Sequence, residues 1–289
     1  MKTQGLVVAV HGRQYAVELA DQQRVMCFTR GKRSEVACGD RVTVKLDGSG
    51  QGVIESFDER RSLLYRSDEF REKLIAANVT QVVIVVATEP SFSAELVTRC
   101  LVAAESQDLR TLIVLNKCDL ADKSRHAITM LQPFEKLGYP IVRLSAREGQ
   151  AGELLPYLSG QTSVLVGQSG MGKSTLINAL VPGAQATTRE ISSALDSGKH
   201  TTTHTALYHL DDDTAVVDSP GVQEFGLRHL SARDIEQGFP ELRPLLGQCR
   251  FRNCRHDREP DCAVRALLDA DGMDNRRYAV FRALRDQAR

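Results

Sequence analysis

Hydrophobic positions change their period along this chain, and the change divides it. From residue 5 to residue 57 apolar and polar residues alternate in short runs: Gly5–Val10, Tyr15–Leu19, Arg24–Phe28, Arg41–Leu46 and Gly52–Phe57. Turn signals separate them at His11-Gly12, Asp21-Gln22-Gln23, Cys38-Gly39-Asp40 and Asp47-Gly48-Ser49-Gly50. A period of two with Gly/Asp/Asn-type breaks predicts strands. Five strands in so short a span close best as a small barrel, of the OB type or, as the alternative, an SH3-like spacer. Residues 58–78 are charged and read as a linker. The run 81–87 is nearly all β-branched, which fits a parallel strand buried on both faces. Strand and helix then alternate: helix Ala94–Gln107 capped by Ser93, strand Thr111–Leu115, helix Ser124–Leu137, strand Ile141–Leu144, a short helix near Glu153–Leu158 and strand Ser163–Val166. Strands Thr205–Leu210 and Thr214–Val217 follow a polar stretch, 182–204. That alternation predicts a doubly wound α/β sheet with helices on both faces.

Composition changes this picture little. Of 289 residues, 42% are hydrophobic and 26% charged, as in an ordinary soluble protein with room for two or three domains. No run is long enough for a membrane span and the first residues do not resemble a signal peptide, so no membrane partner and a cytoplasmic location are expected. The zero formal charge is unevenly spread. Residues 1–62 carry 10 Lys+Arg against 8 Asp+Glu, residues 63–228 carry 15 against 19, and residues 229–289 carry 12 against 10. Mildly basic ends around an acidic centre fit nucleic acid held by the flanks, or simply a solvated surface. In the barrel, Arg30, Lys32 and Arg33 are positioned to touch phosphates, although Tyr15, Phe28 and Phe57 make a thin aromatic platform.

The chemistry sits at strand ends. After Val166 comes Gly167-Gln168-Ser169-Gly170-Met171-Gly172-Lys173-Ser174, with Thr175 next. Two glycines with four residues between them, then Lys and Ser, between a strand and a helix, make a phosphate loop: backbone N–H groups and the helix N-terminus face the phosphates. Lys173 is expected to reach the β- and γ-phosphates of a nucleotide and Ser174 to ligate Mg²⁺. Strand 111–115 ends in Asn116-Lys117-Cys118-Asp119. The carboxylate of Asp119 suits the paired donors of guanine, Asn116 would join the loops and Lys117 would cover the base. Ser145 and Ala146 supply backbone donors for the guanine oxygen. Asp218-Ser-Pro-Gly221 ends strand 214–217, with Asp218 reaching Mg²⁺ through water and the Gly221 N–H sensing the γ-phosphate. Gly198-Lys-His-Thr-Thr-Thr203 offers Thr202 as a second Mg²⁺ ligand, and His200 as the group that positions water unless it is only a solvated loop residue. The guanine-reading elements precede the phosphate elements, the reverse of the ordinary GTPase order. Val222 stands where a Ras-type enzyme has its water-orienting Gln, and Gln223 is displaced by one, so slow intrinsic hydrolysis is expected.

Late in the chain Cys249-x4-Cys254-x-His256-x5-Cys262 offers three thiolates and an imidazole, a donor set for one structural zinc ion with no open position; buried thiols beside a surface His are the alternative. Cys27, Cys38, Cys100 and Cys118 have no such company. Arg250, Arg252, Arg255 and Arg258 lie between the ligands and fit an RNA-facing patch or a solvated face. A helix from Asp274 onward, with Arg276, Arg277, Arg282, Arg285 and Arg289, would extend that patch.

Barrel, permuted motifs and Cys/His tail together resemble the circularly permuted, ribosome-associated GTPases of the RsgA (YjeQ) family over essentially the whole length. The resemblance implies three domains: an OB-type barrel at 1–62 binding RNA, a permuted GTPase domain at 63–228 and a mainly helical zinc domain at 229–289. It implies a zinc site at this Cys/His spacing. It also implies GTP hydrolysis to GDP and phosphate, with Mg²⁺, that is slow until the 30S subunit and its 16S rRNA are bound. The role would be late maturation of that subunit, by a monomer, alongside other small-subunit assembly factors. An rRNA-binding module whose occupancy GTP merely regulates is the alternative.

Overall fold

In the computed structural model, residues 2–30, 35–47, 50–67, 72–184, 205–219 and 224–288 are described. The N-terminal strands are β1 (Lys2–His11), β2 (Gln14–Leu19), β3 (Arg24–Thr29), β4 (Arg41–Leu46) and β5 (Gln51–Phe57). Their order is β1-β2-β3-β5-β4 and back to β1, with β3 and β5 parallel and the other pairs antiparallel. This closed Greek-key order is that of the OB barrel, which settles the choice against the SH3-like alternative. Alternation turns Val7, Tyr15, Val17, Val25, Cys27, Val42, Val44 and Ile54 into one buried interior.

Residues 58–78 are not a linker. Leu63–Ser67 (β6) and Glu72–Ala77 (β7) pair as an antiparallel hairpin, with Leu64, Ile75, Ala76 and Ala77 buried. The charged residues around them masked the strand pattern. Next come β8 (Gln81–Ala87), α1 (Ala94–Glu105), β9 (Arg110–Asn116), α2 (Ala121–Lys136), β10 (Ile141–Arg143), α3 (Leu155–Leu158) and β11 (Thr162–Val166). They are followed by α4 (Lys173–Leu180), β12 (Thr205–His209), β13 (Ala215–Asp218) and β14 (Glu224–Phe225). Ser93 caps α1 by accepting from the Leu96 N–H at 3.2 Å. The central sheet runs β10-β9-β8-β11-β13-β12, parallel as far as β13. Strand β12 is antiparallel to β13, and its other edge pairs with β1 through Ala9–Ala206 and Val10–Thr205. Barrel and central sheet are therefore one hydrogen-bonded surface. Strand β14 pairs back onto β6.

The C-terminal part holds α5 (Ala232–Gln237), a 3-10 turn over Pro240–Leu245, α6 (Ala263–Asp269) and α7 (Asn275–Gln287). Phe239 and Phe281 meet edge to face at 5.3 Å beneath α7. Three of the arginines expected on an outer RNA patch turn inward instead. Arg277 is 2% exposed, pairs with both Glu241 carboxylate oxygens at 2.7 and 3.0 Å, and lies over the rings of Phe134 and Phe239. Arg282 binds Asp257, and Arg285 stands 2.9 Å from Glu236. Partners from distant segments, invisible to a charge count, direct these side chains. No helix among the described residues is long and apolar enough to cross a membrane.

Candidate functional site

The ends of β8, β9, β10, β11 and β13 open on the same side of the sheet, the C-terminal edge where open α/β sheets bind ligands. Strand β11 leads into the loop 167–172. Gly167 lies so close to β8 that an added Cβ would sit 2.2 Å from the Val85 carbonyl oxygen, so only glycine lets the loop leave the sheet here. Gly172, at φ 93°, caps α4, which starts at Lys173. Lys173 is 8% exposed, and its Nζ donates to the carbonyl oxygens of Gly167 at 2.7 Å and Gln168 at 3.0 Å. Burial pulls its pKa down to about 8, opposed by the Asp218 carboxylate. A buried cation curled inside a loop of backbone N–H groups gains most from an arriving polyanion. Ser174 is half-buried in the first turn of α4, Thr175 exposed beside it. Ser169 is exposed on the outer side of the loop, while Met171 is buried. Gln168 accepts from the Ser93 N–H at 3.1 Å, tying the loop to α1.

Asn116 is 2% exposed and clasps three loops at the end of β9. Its Nδ2 donates to the Met171 carbonyl at 3.0 Å, and its Oδ1 accepts from the Ala146 N–H at 3.0 Å. Lys117, at φ 63°, donates from Nζ to the carbonyl oxygens of Glu89 at 2.8 Å and Gly170 at 2.7 Å, and burial lowers its pKa. Asp119 stands exposed at the rim. The Ser145 N–H is engaged by Gln150 Oε1 at 2.6 Å. The backbone donors of Ser145 and Ala146 are thus spent on the protein. The Ser145 hydroxyl, by contrast, is buried and has no hydrogen-bond partner among the described residues. Asp218 is 3% exposed at the end of β13, level with Leu165 of β11, and Ser219 Oγ donates to the Leu165 carbonyl at 2.7 Å. His200, Thr202 and Gly221 lie outside the described residues. Thr88 and Gln150 brace this region and were not found by motif reading. Thr88, just past buried β8, holds the Lys117 carbonyl at 2.9 Å, and its place at a strand end beside the phosphate loop was the available signal.

A second cluster lies in the C-terminal part. Cys249, Cys254, His256 and Cys262 bring their ligand atoms within 4.8 Å of one another, a set able to hold a metal ion. His256 Nδ1 is 3.4 Å from both Cys249 Sγ and Cys262 Sγ, and those sulfurs are 3.9 Å apart. The other ring nitrogen, Nε2, is 3.3 Å from Glu236 Oε1. Tyr278 donates to the His256 carbonyl at 2.6 Å and Arg285 Nη2 to the Cys254 carbonyl at 2.7 Å. Glu236, twenty residues upstream in α5, carried no sequence signal.

A phosphate loop that follows an Asn-Lys-x-Asp strand end in the chain, yet meets it at the same sheet edge across β8, defines a circularly permuted phosphate-loop protein. The comparisons agree. The sequence model of the RsgA GTPase family matches residues 57–228. "Small ribosomal subunit biogenesis GTPase RsgA" of Nitrosospira multiformis is 54% identical over 280 residues, 97% of this chain and 89% of that protein. Its namesake in Ralstonia pickettii is 51% identical over 287 residues, 97% of this chain and 91% of that one. The crystal structure of YjeQ from Thermotoga maritima is similar at a TM-score of 0.71 and 31% identity, over 97% of this chain and 96% of that chain. YloQ, described as a circularly permuted GTPase, shares the fold at a TM-score of 0.68 and 22% identity, over 99% of this chain and 95% of that chain. The chain belongs to the RsgA GTPase family, whose members hydrolyse GTP.

Proposed function

We propose that this chain hydrolyses GTP in the service of small ribosomal subunit biogenesis, binding the subunit in the GTP state and leaving after hydrolysis. The observation that carries this reading is the Asn116 clasp, which ties the phosphate loop, the Asn-Lys-x-Asp strand end and the Ser145-Ala146 loop into one cradle. Lys173 would neutralise the β- and γ-phosphates, Asp119 would read guanine, and Ser174, Thr202 and Asp218 would hold Mg²⁺ directly or through water. Gly221 and His200 complete the assignment at the γ-phosphate and the attacking water. With Val222 in place of a water-orienting Gln, turnover rests on the partner to order the loops. Functionally the chain divides at 1–62, 63–228 and 229–289: barrel and tail face 16S rRNA, and the centre carries the nucleotide. We take it to act in the cytoplasm as a monomer, beside other assembly factors. GTP turnover should rise strongly when purified small subunits are added, and not with large subunits or with ATP as substrate. Fast turnover indifferent to subunits would overturn the reading.

The Cys/His cluster we assign to structural zinc. A tetrahedral zinc ion with ordinary bond lengths sets sulfurs roughly 3.8 Å apart and sulfur and nitrogen roughly 3.5 Å apart. The observed 3.9 and 3.4 Å among Cys249, His256 and Cys262 match those values, and Cys254 Sγ lies within 4.8 Å of the other three ligand atoms. Glu236 would hold the outward N–H of His256 so that Nδ1 faces the metal. Glu236→Gln should therefore weaken zinc retention by about 10-fold or more, read by competition with a chromogenic chelator. Unaltered zinc affinity would remove Glu236 from the site.

A further inference from the structure

The loop between the first two cluster ligands presents a ring that the fold does not use. Phe251 is 41% exposed and belongs to no buried cluster. It is not a floppy side chain on a loose loop. Cys249 and Cys254 pin the segment on both sides, the Cys254 N–H donates to the Phe251 carbonyl at 3.2 Å, and the Arg250 N–H donates to the Asp261 carbonyl at 3.3 Å. Arg250 also pairs with Asp261 at 3.0 Å and places its guanidinium carbon 5.5 Å from the Phe251 ring centre. An exposed aromatic ring costs solubility and contributes nothing to the core, whereas a ring held rigidly in place binds without an ordering penalty.

The surrounding charges are sorted. The three acidic residues between His256 and Cys262 all have partners: Glu259 accepts the backbone N–H groups of Arg255, Asp257 and Arg258, Asp257 binds Arg282 of α7, and Asp261 binds Arg250. Accepting those N–H groups lowers the Glu259 pKa to about 2, so it stays ionised and engaged with the backbone. The side chains of Arg252, Arg255 and Arg258 are exposed and make no ion pair or hydrogen bond among the described residues. The same metal-ligand segment therefore carries an exposed ring, with Arg250 5.5 Å from its centre, and three exposed arginines without an ion-pair partner among the described residues. Arginine forks take phosphates in any nucleic acid, but a planar apolar ring takes only a base whose face is bare. In an A-form duplex the faces are already stacked, so the ring selects unpaired nucleotides.

Building on the RNA-facing reading of the tail, we propose that Phe251 is a stacking platform for an unpaired RNA base, with Arg252, Arg255 and Arg258 on the flanking phosphates. The test uses the full zinc-loaded chain, a short labelled single-stranded RNA and a hairpin duplex of matching composition. Phe251→Ala and Phe251→Leu should weaken single-strand binding by about tenfold and leave the duplex unaffected. The salt dependence should keep its slope, because no phosphate contact is removed. Phe251→Trp should restore affinity. Replacing Arg252 and Arg258 together by Ala should instead weaken both RNAs and flatten the salt dependence by roughly one to two counterions. A thiouridine-substituted single strand should photocrosslink at residue 251, which separates this contact from any made by the barrel. If the Arg variant loses RNA while Phe251→Ala binds as before and no crosslink maps to this loop, stacking is wrong and the RNA-facing reading survives. If neither variant alters RNA binding but both weaken association with the subunit, the surface meets protein, and both fail. Zinc content and melting temperature should be unchanged in Phe251→Ala, since the ring is outside the core.

Discussion

Gly172→Ala should raise the Kd for GTP by about 100-fold or more while leaving most of the fold in place. At φ 93° a non-glycine residue costs about 1–2 kcal/mol. The larger effect is steric: an added Cβ would stand 2.2 Å from Asn116 Nδ2. Asn116 is locked between the Met171 carbonyl and the Ala146 N–H, both at 3.0 Å, so it has no room to retreat without breaking one of them. Each buried polar group left unpaired costs about 1–3 kcal/mol, and the losses fall on the joint that holds Lys173 and the base-side loops in register. Gly149→Ala is the control. Its φ is 81°, but nothing lies within 4 Å of the added atom, so strain alone applies and GTP affinity should stay near that of the wild type. Titration with a fluorescent GTP analogue and a thermal melt on both variants check this. Equal GTP affinity in Gly172→Ala and wild type would mean that the clasp does not shape the cradle.

Why the clasp was partly legible in the sequence, and its neighbours were not, follows from sequence distance. The phosphate loop and the Cys/His cluster are contiguous segments in which turn chemistry and ligand type dictate the local shape, so residues 167–174 and 249–262 stand out unaided. The barrel strands were equally readable, since alternation ends at turn residues, but their closure was not. That β3 lies parallel to β5 and β1 pairs with β4 depends on contacts between strands well separated in the chain. The β6–β7 hairpin escaped because Asp58-Glu59-Arg60-Arg61 and Arg71-Glu72-Lys73 swamp a short apolar pattern whose third strand is β14, far downstream. Charge counting failed most clearly on α7. Arg277 looks like its exposed neighbour Arg276 in sequence, and only the arrival of Phe134 from α2 and of Phe239 and Glu241 from the 3-10 turn segment turns it inward. The backbone N–H groups of Ser145 and Ala146 show the converse: a short motif located the loop, but Gln150 and Asn116 already take those donors.

Asp119→Asn should weaken GTP by about 100-fold or more and raise affinity for xanthosine triphosphate, with little change in stability. The loop that carries Asp119 is fixed without its carboxylate. The Cys118 N–H donates to the Leu144 carbonyl at 3.2 Å, the Leu120 N–H to the Lys117 carbonyl at 3.1 Å, and Ser124 Oγ to the Leu120 carbonyl at 3.1 Å. Asp119 itself is exposed and makes no side-chain hydrogen bond or salt bridge among the described residues, only a longer-range attraction to Lys117, so the substitution removes little that the fold needs. What it removes is an acceptor pair for the ring N–H and exocyclic amine of guanine. Hydrogen bonds to a charged partner contribute about 1.5–3 kcal/mol each, and an amide in their place sets donor against donor. Xanthine carries an oxygen where guanine carries its amine, so the Asn amide regains a partner there. Competition titrations with GTP, ATP and xanthosine triphosphate on both proteins separate base reading from phosphate binding, because Lys173 and the loop 167–172 are untouched. A uniform loss across all three nucleotides would point to a damaged phosphate loop. Undiminished GTP affinity would show that the base is read elsewhere, and the buried, unpartnered hydroxyl of Ser145 would be the next group to test.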